Sequence, residues 1–495
     1  MRLLPVSSTG LNRFLAIAHV LGGLLMVMAA TYFLPIGWSL LVSDGTTASF
    51  VEAAIGTVAV GLLLWGPTLR FKRELQPRDG CLLVVLTWVA MAAAATVPFL
   101  LELPGIGFTD AFFESMSALT TTGATVLTGL DTLPQSLNVW RHALQWFGGL
   151  GIIVLAVAIL PLLGVGGMQL FKAEMPGPMK EAKLTPRITQ TAKYLWLIYV
   201  ALTLMCMLAL RAAGMSWFDA VCHGFSALAL GGFSTRDDSV GGFDSPAIEA
   251  VLMVFMLAAV INFTTHFLAL RGRSPAAYLR DAEARWVWLS VLGTVAVLAV
   301  FLWVSGVYPE PLQALRHAAF TGVSMATSSG YTGADYAAWP PFAAFGVLLV
   351  GALCSSSGST GGGIKMVRTL VLVKQARREL LRMSHPRAVQ PLVLNRQIIG
   401  NQVIFAVLGF MLLYGATLVG VTMLLMLTGL DFESAFAATF SCLNNIGPAL
   451  GAFGPVNNYQ ALDPFQTWVC ATTMLAGRLE LLTFFALLTR AFWRR

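Results

Sequence analysis

The chain has 495 residues, of which 57% are apolar and only 11% charged, against roughly a quarter charged in a soluble domain. That balance excludes a soluble enzyme or binding domain and indicates a protein built for the bilayer. The net charge of +7 comes without any basic patch interleaved with stacking aromatics, which argues against nucleic acid as a partner.

In chain order, ten apolar runs reach the length of about 20 residues needed to span a bilayer. Two lead, at 11–41 and 50–69. The first is about twice as long as a signal-peptide core and lacks a cleavage site, so it is expected to remain as a spanning helix. Four pairs follow, at 82–101 and 140–163, 194–210 and 246–270, 286–304 and 340–373, and 399–427 and 464–492. Between the members of each pair lies a short segment, at 109–122, 217–230, 311–328 and 432–445.

The four short segments share a frame. Gly123, Gly232, Gly330 and Gly447 each follow a serine by six residues (Ser117, Ser226, Ser324, Ser441) and an alanine by twelve (Ala111, Ala220, Ala318, Ala435). Two matches in all four copies, at intervals of 109, 98 and 117 residues, indicate an internal repeat. The division is residues 1–79 for two N-terminal transmembrane helices, then repeats at 80–170, 171–272, 273–396 and 397–495. The fold class is an all-α polytopic membrane protein, four helix, pore loop, helix repeats around one central pore.

Charge sets the expected orientation. Of the 31 Lys and Arg, 26 gather in alternate loops and at the termini, while Asp131, Asp219, Asp237, Asp431 and Asp463 mark the intervening loops. The positive-inside rule then places both termini in the cytoplasm. A segment of 12 to 15 residues makes roughly 20 Å of helix, too short to cross, so each must enter from outside and return. Its carbonyl end points at the bilayer centre and favours a cation, and the glycine frees the backbone to present carbonyl oxygens. Four such ends around one axis make a cation filter.

These motifs carry a resemblance. TTTGAT, ALGGFST, SSGYTG and NNIGP are similar to the four filter loops of the Trk-type potassium uptake subunits, a superfamily that includes the Ktr and plant high-affinity potassium transporters. The two extra N-terminal helices resemble its TrkH branch. The resemblance implies low-affinity K⁺ uptake at the inner (plasma) membrane, with K⁺ held by Thr121, Thr122, Gly123, Leu230, Gly231, Gly232, Ser328, Ser329, Gly330, Asn445, Ile446 and Gly447. It further implies a homodimer in membrane lipid and a cytoplasmic TrkA-like regulatory subunit. Any nucleotide (NAD or ATP) would bind that partner, and this chain would need no cofactor of its own. NIGPA departs from the pattern, lacking the Ser or Thr two places after the glycine.

Residues Ser355, Ser356, Ser357, Gly358, Ser359, Thr360, Gly361, Gly362 and Gly363 interrupt the 340–373 run. Each glycine costs a helix about 1 kcal/mol relative to alanine, so the helix should break here. By resemblance the break is an intramembrane gate beneath the filter. Arg478, read as lying midway along the last helix, costs several kcal/mol unless it faces the pore or a partner. The resemblance puts it beside the gate.

Other readings fit less well. GSTGGGIK departs from a phosphate-binding loop, since Ile364 separates glycine from Lys365 and Met366 replaces the required Ser or Thr. An H⁺- or Na⁺-coupled potassium symporter with the same filter needs a mid-membrane titratable group, and Arg478 stays protonated. A hydrolase using Ser355, Ser356 or Ser357 lacks a histidine nearby in sequence. Asn262, His266, His142, His223 and His317 read as satisfied packing residues, the six cysteines as buried packing, and Gly148 to Gly151 as a site of close helix approach.

Overall fold

The structure is a computed structural model that describes residues 8–70, 75–151, 188–388, 390–395 and 397–493. The span 140–163 from residue 152 on and residues 172–187 of the basic stretch 172–193 lie outside those residues.

Among the described residues, six helical stretches are long and apolar enough to cross a membrane: Arg13–Val42, Thr47–Trp65, Arg78–Glu102, Lys193–Ala212, Ala282–Val304 and Asn401–Leu427. They are the two N-terminal spans and the first member of every pair. Their apolar residues lie on all sides, and Leu292, Val300, Leu412 and Leu427 stand exposed. Such a surface is stable against lipid tails and not against water.

The second members behave differently. The run 246–270 was expected as one helix and is two, Pro246–Ala259 and Phe263–Gly272, bent by 90°. Polar caps explain the turn: the Asn262 side chain accepts from Thr264 N at 2.8 Å, and His266 Nε2 lies 2.9 Å from the Ala258 carbonyl across the bend. The run 464–492 is likewise Pro464–Arg478 and Leu482–Leu488, bent by 117°. Glu480 and Leu481 take positive φ between them, which ends a right-handed helix. The 340–373 run breaks where its glycines and serines predict, leaving Pro341–Val350 and Met366–Ser384.

The fold is not purely helical. Val393–Leu394 pairs antiparallel with Gln397–Ile398 in a small hairpin within the basic stretch that follows Met366–Ser384.

The N-terminal helices dock on the rest through Trp140, which is fully buried, stacks on Tyr32 at 4.5 Å and donates to the Ala95 carbonyl at 3.2 Å. Asp44, in the loop between those helices, accepts from Ser39 Oγ at 2.6 Å and from Ser136 N at 2.9 Å, so it caps helix Gln135–Trp146 from outside. Burial alone would raise its pKa, but the bonds from Ser136, Ser39 and Thr46 outweigh it and lower the value from 3.8 to about 2. The stabilisation is therefore present above the unfolded value and lost as pH falls through the folded one. Asp44→Asn is expected to cost about 1 kcal/mol at neutral pH, less than the full shift because the carboxylate is partly open to solvent. Thermal melts in detergent should show the gap between variant and parent closing as pH drops from about 4 toward 2; a gap independent of pH would contradict this role.

Candidate functional site

The four short helices are Phe108–Leu119, Trp217–Ala229, Pro311–Ala326 and Phe432–Asn444, and they end alike. Thr121, Leu230, Ser328 and Asn445 adopt left-handed φ of 53°, 55°, 56° and 53°. The next amide in each case, of Thr122, Gly231, Ser329 and Ile446, donates back to the carbonyl of Ser117, Ser226, Ser324 and Ser441 at 2.9 to 3.0 Å. This is the helix-terminating motif in which the chain reverses through one left-handed residue. The recurring serine thus marks the carbonyl that closes the cap, and the recurring alanines are fully buried.

The glycine of each loop then sits against the backbone of the next. A Cβ on Gly123 would overlap the Gly231 carbonyl oxygen, one on Gly232 that of Ser329, and one on Gly330 that of Ile446. One on Gly447 would lie 2.6 Å from the Thr122 oxygen. The contacts run from the first loop to the fourth and return to the first, so the loops form a closed ring. All four glycines have positive φ, 84°, 71°, 77° and 101°, and no side chain fits there without displacing a neighbour's carbonyl.

Among the described residues, nothing donates a hydrogen bond to the carbonyls of Thr121, Thr122, Gly123, Leu230, Gly232, Ser328, Ser329, Gly330, Asn445 or Ile446. Two carbonyls expected to be bare are not. Gly231 O accepts from Gln145 Nε2 at 2.7 Å, and Gly447 O accepts from Ser441 Oγ and Tyr459 OH at 2.8 Å each. The reason is local. Gln145 and Tyr459 are polar side chains buried against the ring's outer surface, and such groups must find acceptors. In the fourth loop Ala449 stands where the others have Ser or Thr, and its carbonyl accepts from Tyr336 OH at 3.0 Å.

The irregular segment 351–365 lies against the C-terminal ends of the short helices. Thr360 Oγ1 donates to the Leu228 carbonyl at 2.9 Å, Gly362 N to Ser328 Oγ at 2.8 Å, and a Cβ on Gly362 would strike the Asn444 carbonyl. Gly361 packs on Ser355, and Gly358 O accepts from Phe263 N at 3.2 Å. Ser359 Oγ folds back onto the Ser356 carbonyl at 2.7 Å, while the buried hydroxyls of Ser355 and Ser356 have no hydrogen-bond partner among the described residues. Gly363, at φ 80°, lets the chain turn into Lys365, whose ammonium reaches the Gly361 carbonyl. Glu283 Oε2 accepts from Ser357 N at 2.7 Å.

Arg478 lies at the C-terminal end of helix Pro464–Arg478. The sequence placed it midway along a longer helix; the bend at 479–481 corrects that. Its guanidinium donates to Thr360 O at 2.9 Å and to Gly148 O and Gly149 O at 2.8 and 2.9 Å. It therefore ties the irregular segment to the first repeat. Glu480 points elsewhere, to Arg368 at 2.6 Å. Gly148 and Gly149 give the close approach expected of them, against Leu119 and Ala229. Sequence reasoning missed Gln145, Glu283, Lys365 and the buried pair Glu114 and Arg141.

A bundle of apolar spans closed around a ring of main-chain oxygens defines a membrane transport protein rather than an enzyme. The match to the TrkH family of cation transport proteins extends over residues 47–493, and the chain belongs to that family. The Trk system potassium uptake protein TrkH of Salmonella typhimurium is 45% identical over 482 residues, 97% of this chain and 99% of that one. The TrkH protein of Halomonas elongata is 46% identical over 487 residues, with the same coverage. The crystal structure of the potassium transporter TrkH from Vibrio parahaemolyticus superposes with a TM-score of 0.88 at 42% identity, covering 97% of this chain and 100% of that one.

Proposed function

We propose that this chain takes up K⁺ through a channel-like pore whose filter is the glycine ring. The observation that carries the reading is the ring itself, in which, among the described residues, ten main-chain oxygens from four loops are left without hydrogen-bond donors. Unpaired carbonyls at membrane depth cost free energy unless they face water or an ion, and carbonyl oxygens replace the hydration shell of K⁺. The four helix ends add partial negative charge, roughly half a unit each. In this reading Thr121, Leu230, Ser328 and Asn445 line the lowest layer of the filter, and the four repeats surround one axis.

Residues 355–363, with Arg478 across them, form the gate. The basic segments face the cytoplasm of a bacterial inner membrane, where a TrkA-like nucleotide-binding subunit would act, and the chain pairs as a homodimer. A membrane potential of 100 mV, inside negative, supplies about 2.3 kcal/mol per ion, so inward flow needs no chemistry in the chain.

Vesicles holding only the purified chain should take up ⁸⁶Rb⁺ in response to an imposed inside-negative potential, and excess K⁺ should suppress it more than equal Na⁺. No uptake in vesicles with folded protein would remove the assignment of the pore to this chain.

A further inference from the structure

Glu114, on the first short helix, and Arg141 form an ion pair with no solvent exposure, Arg141 Nη2 and Nε each 2.8 Å from Glu114 Oε1. Taking two charges out of water costs several kcal/mol per ion unless the remaining donors and acceptors are also used. Here they are used on the ring. Glu114 Oε2 accepts from Val126 N at 3.1 Å and Thr125 Oγ1 at 3.0 Å. Arg141 donates to Thr125 Oγ1 at 3.3 Å, Ser234 O at 3.4 Å and Asn138 Oδ1 at 3.0 Å, and its guanidinium lies 4.3 Å from the centre of the Phe233 ring. Thr125 stands two residues past Gly123, and Ser234 two past Gly232. One ion pair thus holds the first and second loops at the same register.

The four loops differ at this level. Nine residues before the ring glycine stand Glu114, His223, Thr321 and Ala438. His223 repeats the contact in the second loop, with Nε2 3.0 Å from Ser234 Oγ. Thr321 and Ala438 carry no charge, and the fourth loop is held instead by the neutral hydroxyls of Tyr336 and Tyr459. Charge-assisted bonds are about twice as strong as neutral ones, so the ring is stiffest between its first two loops.

Resting on the reading of the ring as a K⁺ site, we propose that Glu114 and Arg141 are positioning residues. They fix the spacing of the first two loops and so set the preference for K⁺ over Na⁺. Neither group lies among the ring oxygens, and their opposite charges largely cancel for an ion on the axis. What they supply is resistance to the inward movement of carbonyls that the smaller Na⁺ requires.

The test is ⁸⁶Rb⁺ uptake into liposomes by the full chain, with K⁺ and Na⁺ as competitors. The double variant Glu114→Gln/Arg141→Gln removes both charges together and leaves no lone buried ion. It should fold, and Na⁺ should compete about tenfold better relative to K⁺ than in the parent. Thr125→Val, which keeps the pair but removes the hydroxyl part of its tie to the first loop and leaves the Val126 N bond, should shift the ratio in the same direction by less, and Arg141→Lys should retain part of the preference. A purely structural role would lower total uptake without moving the ratio. If the double variant and Thr125→Val keep the parent's ratio while Gly123→Ser shifts it, the positioning role is overturned and the filter reading stands. If Gly123→Ser also leaves the ratio unchanged, the filter reading falls and takes this inference with it. Should the double variant not fold, the Thr125→Val ratio decides.

Discussion

Gly123→Ser is expected to lower K⁺ over Na⁺ discrimination by at least about tenfold while leaving the chain folded. The backbone at position 123 has φ of 84°, which costs an L-residue roughly 1–2 kcal/mol. The added Cβ would also overlap the Gly231 carbonyl, and overpacking of this kind typically costs about 1–3 kcal/mol. The strain is relieved by moving the Gly123 peptide or the Gly231 carbonyl, and either motion takes an oxygen out of the ring. A change of about 1.4 kcal/mol in the relative energy of two ions is already a tenfold change in preference. Competition of Na⁺ and K⁺ against ⁸⁶Rb⁺ uptake measures it, and an unchanged ratio would show that the ring does not choose the ion.

Arg478→Ala is expected to raise basal flux several-fold. The guanidinium joins three carbonyls, two of the first repeat and one of the irregular segment, and hydrogen bonds to a charged group contribute about 1.5–3 kcal/mol each. Without them the segment keeps its neighbours from the second, third and fourth loops but loses the first. A bias of 1–2 kcal/mol toward an open state is worth roughly a factor of 5–30 in its population. Arg478→Lys should give an intermediate flux, because an ammonium cannot reproduce the planar fork. Loss of folded protein in both variants would assign Arg478 to stability. Parental flux in a folded Arg478→Ala protein would separate it from gating.

How far these sites were legible in the sequence depends on the distance over which each is built. The glycine frame was legible because the reversal after Thr121, Leu230, Ser328 and Asn445 is a local device: a helix end, one left-handed residue and a glycine, all within a few positions. The break at 355–363 was legible for the same reason, since serine and glycine act on their own helix. The bends after Ala259 and Arg478 were not, because hydropathy sums composition and carries no direction; both halves of each pair remain apolar. Asn262 was visible as polar but not as the cap that turns the chain. Glu114 and Arg141 did carry a signal, ionisable residues within a membrane protein's apolar runs, yet their pairing spans 27 residues and depends on how two helices cross. Gln145 gave none, because an amide is informative only once the carbonyl it holds is known.

The most direct test is the density at the centre of the ring. Crystals of the chain grown in Rb⁺ should show anomalous peaks on the axis between the carbonyls of Thr121, Leu230, Ser328 and Asn445, and these should fade when Na⁺ replaces Rb⁺. Density maps with those oxygens turned away from the axis, or with Rb⁺ bound elsewhere and none in the ring, would contradict a pore formed by these four loops.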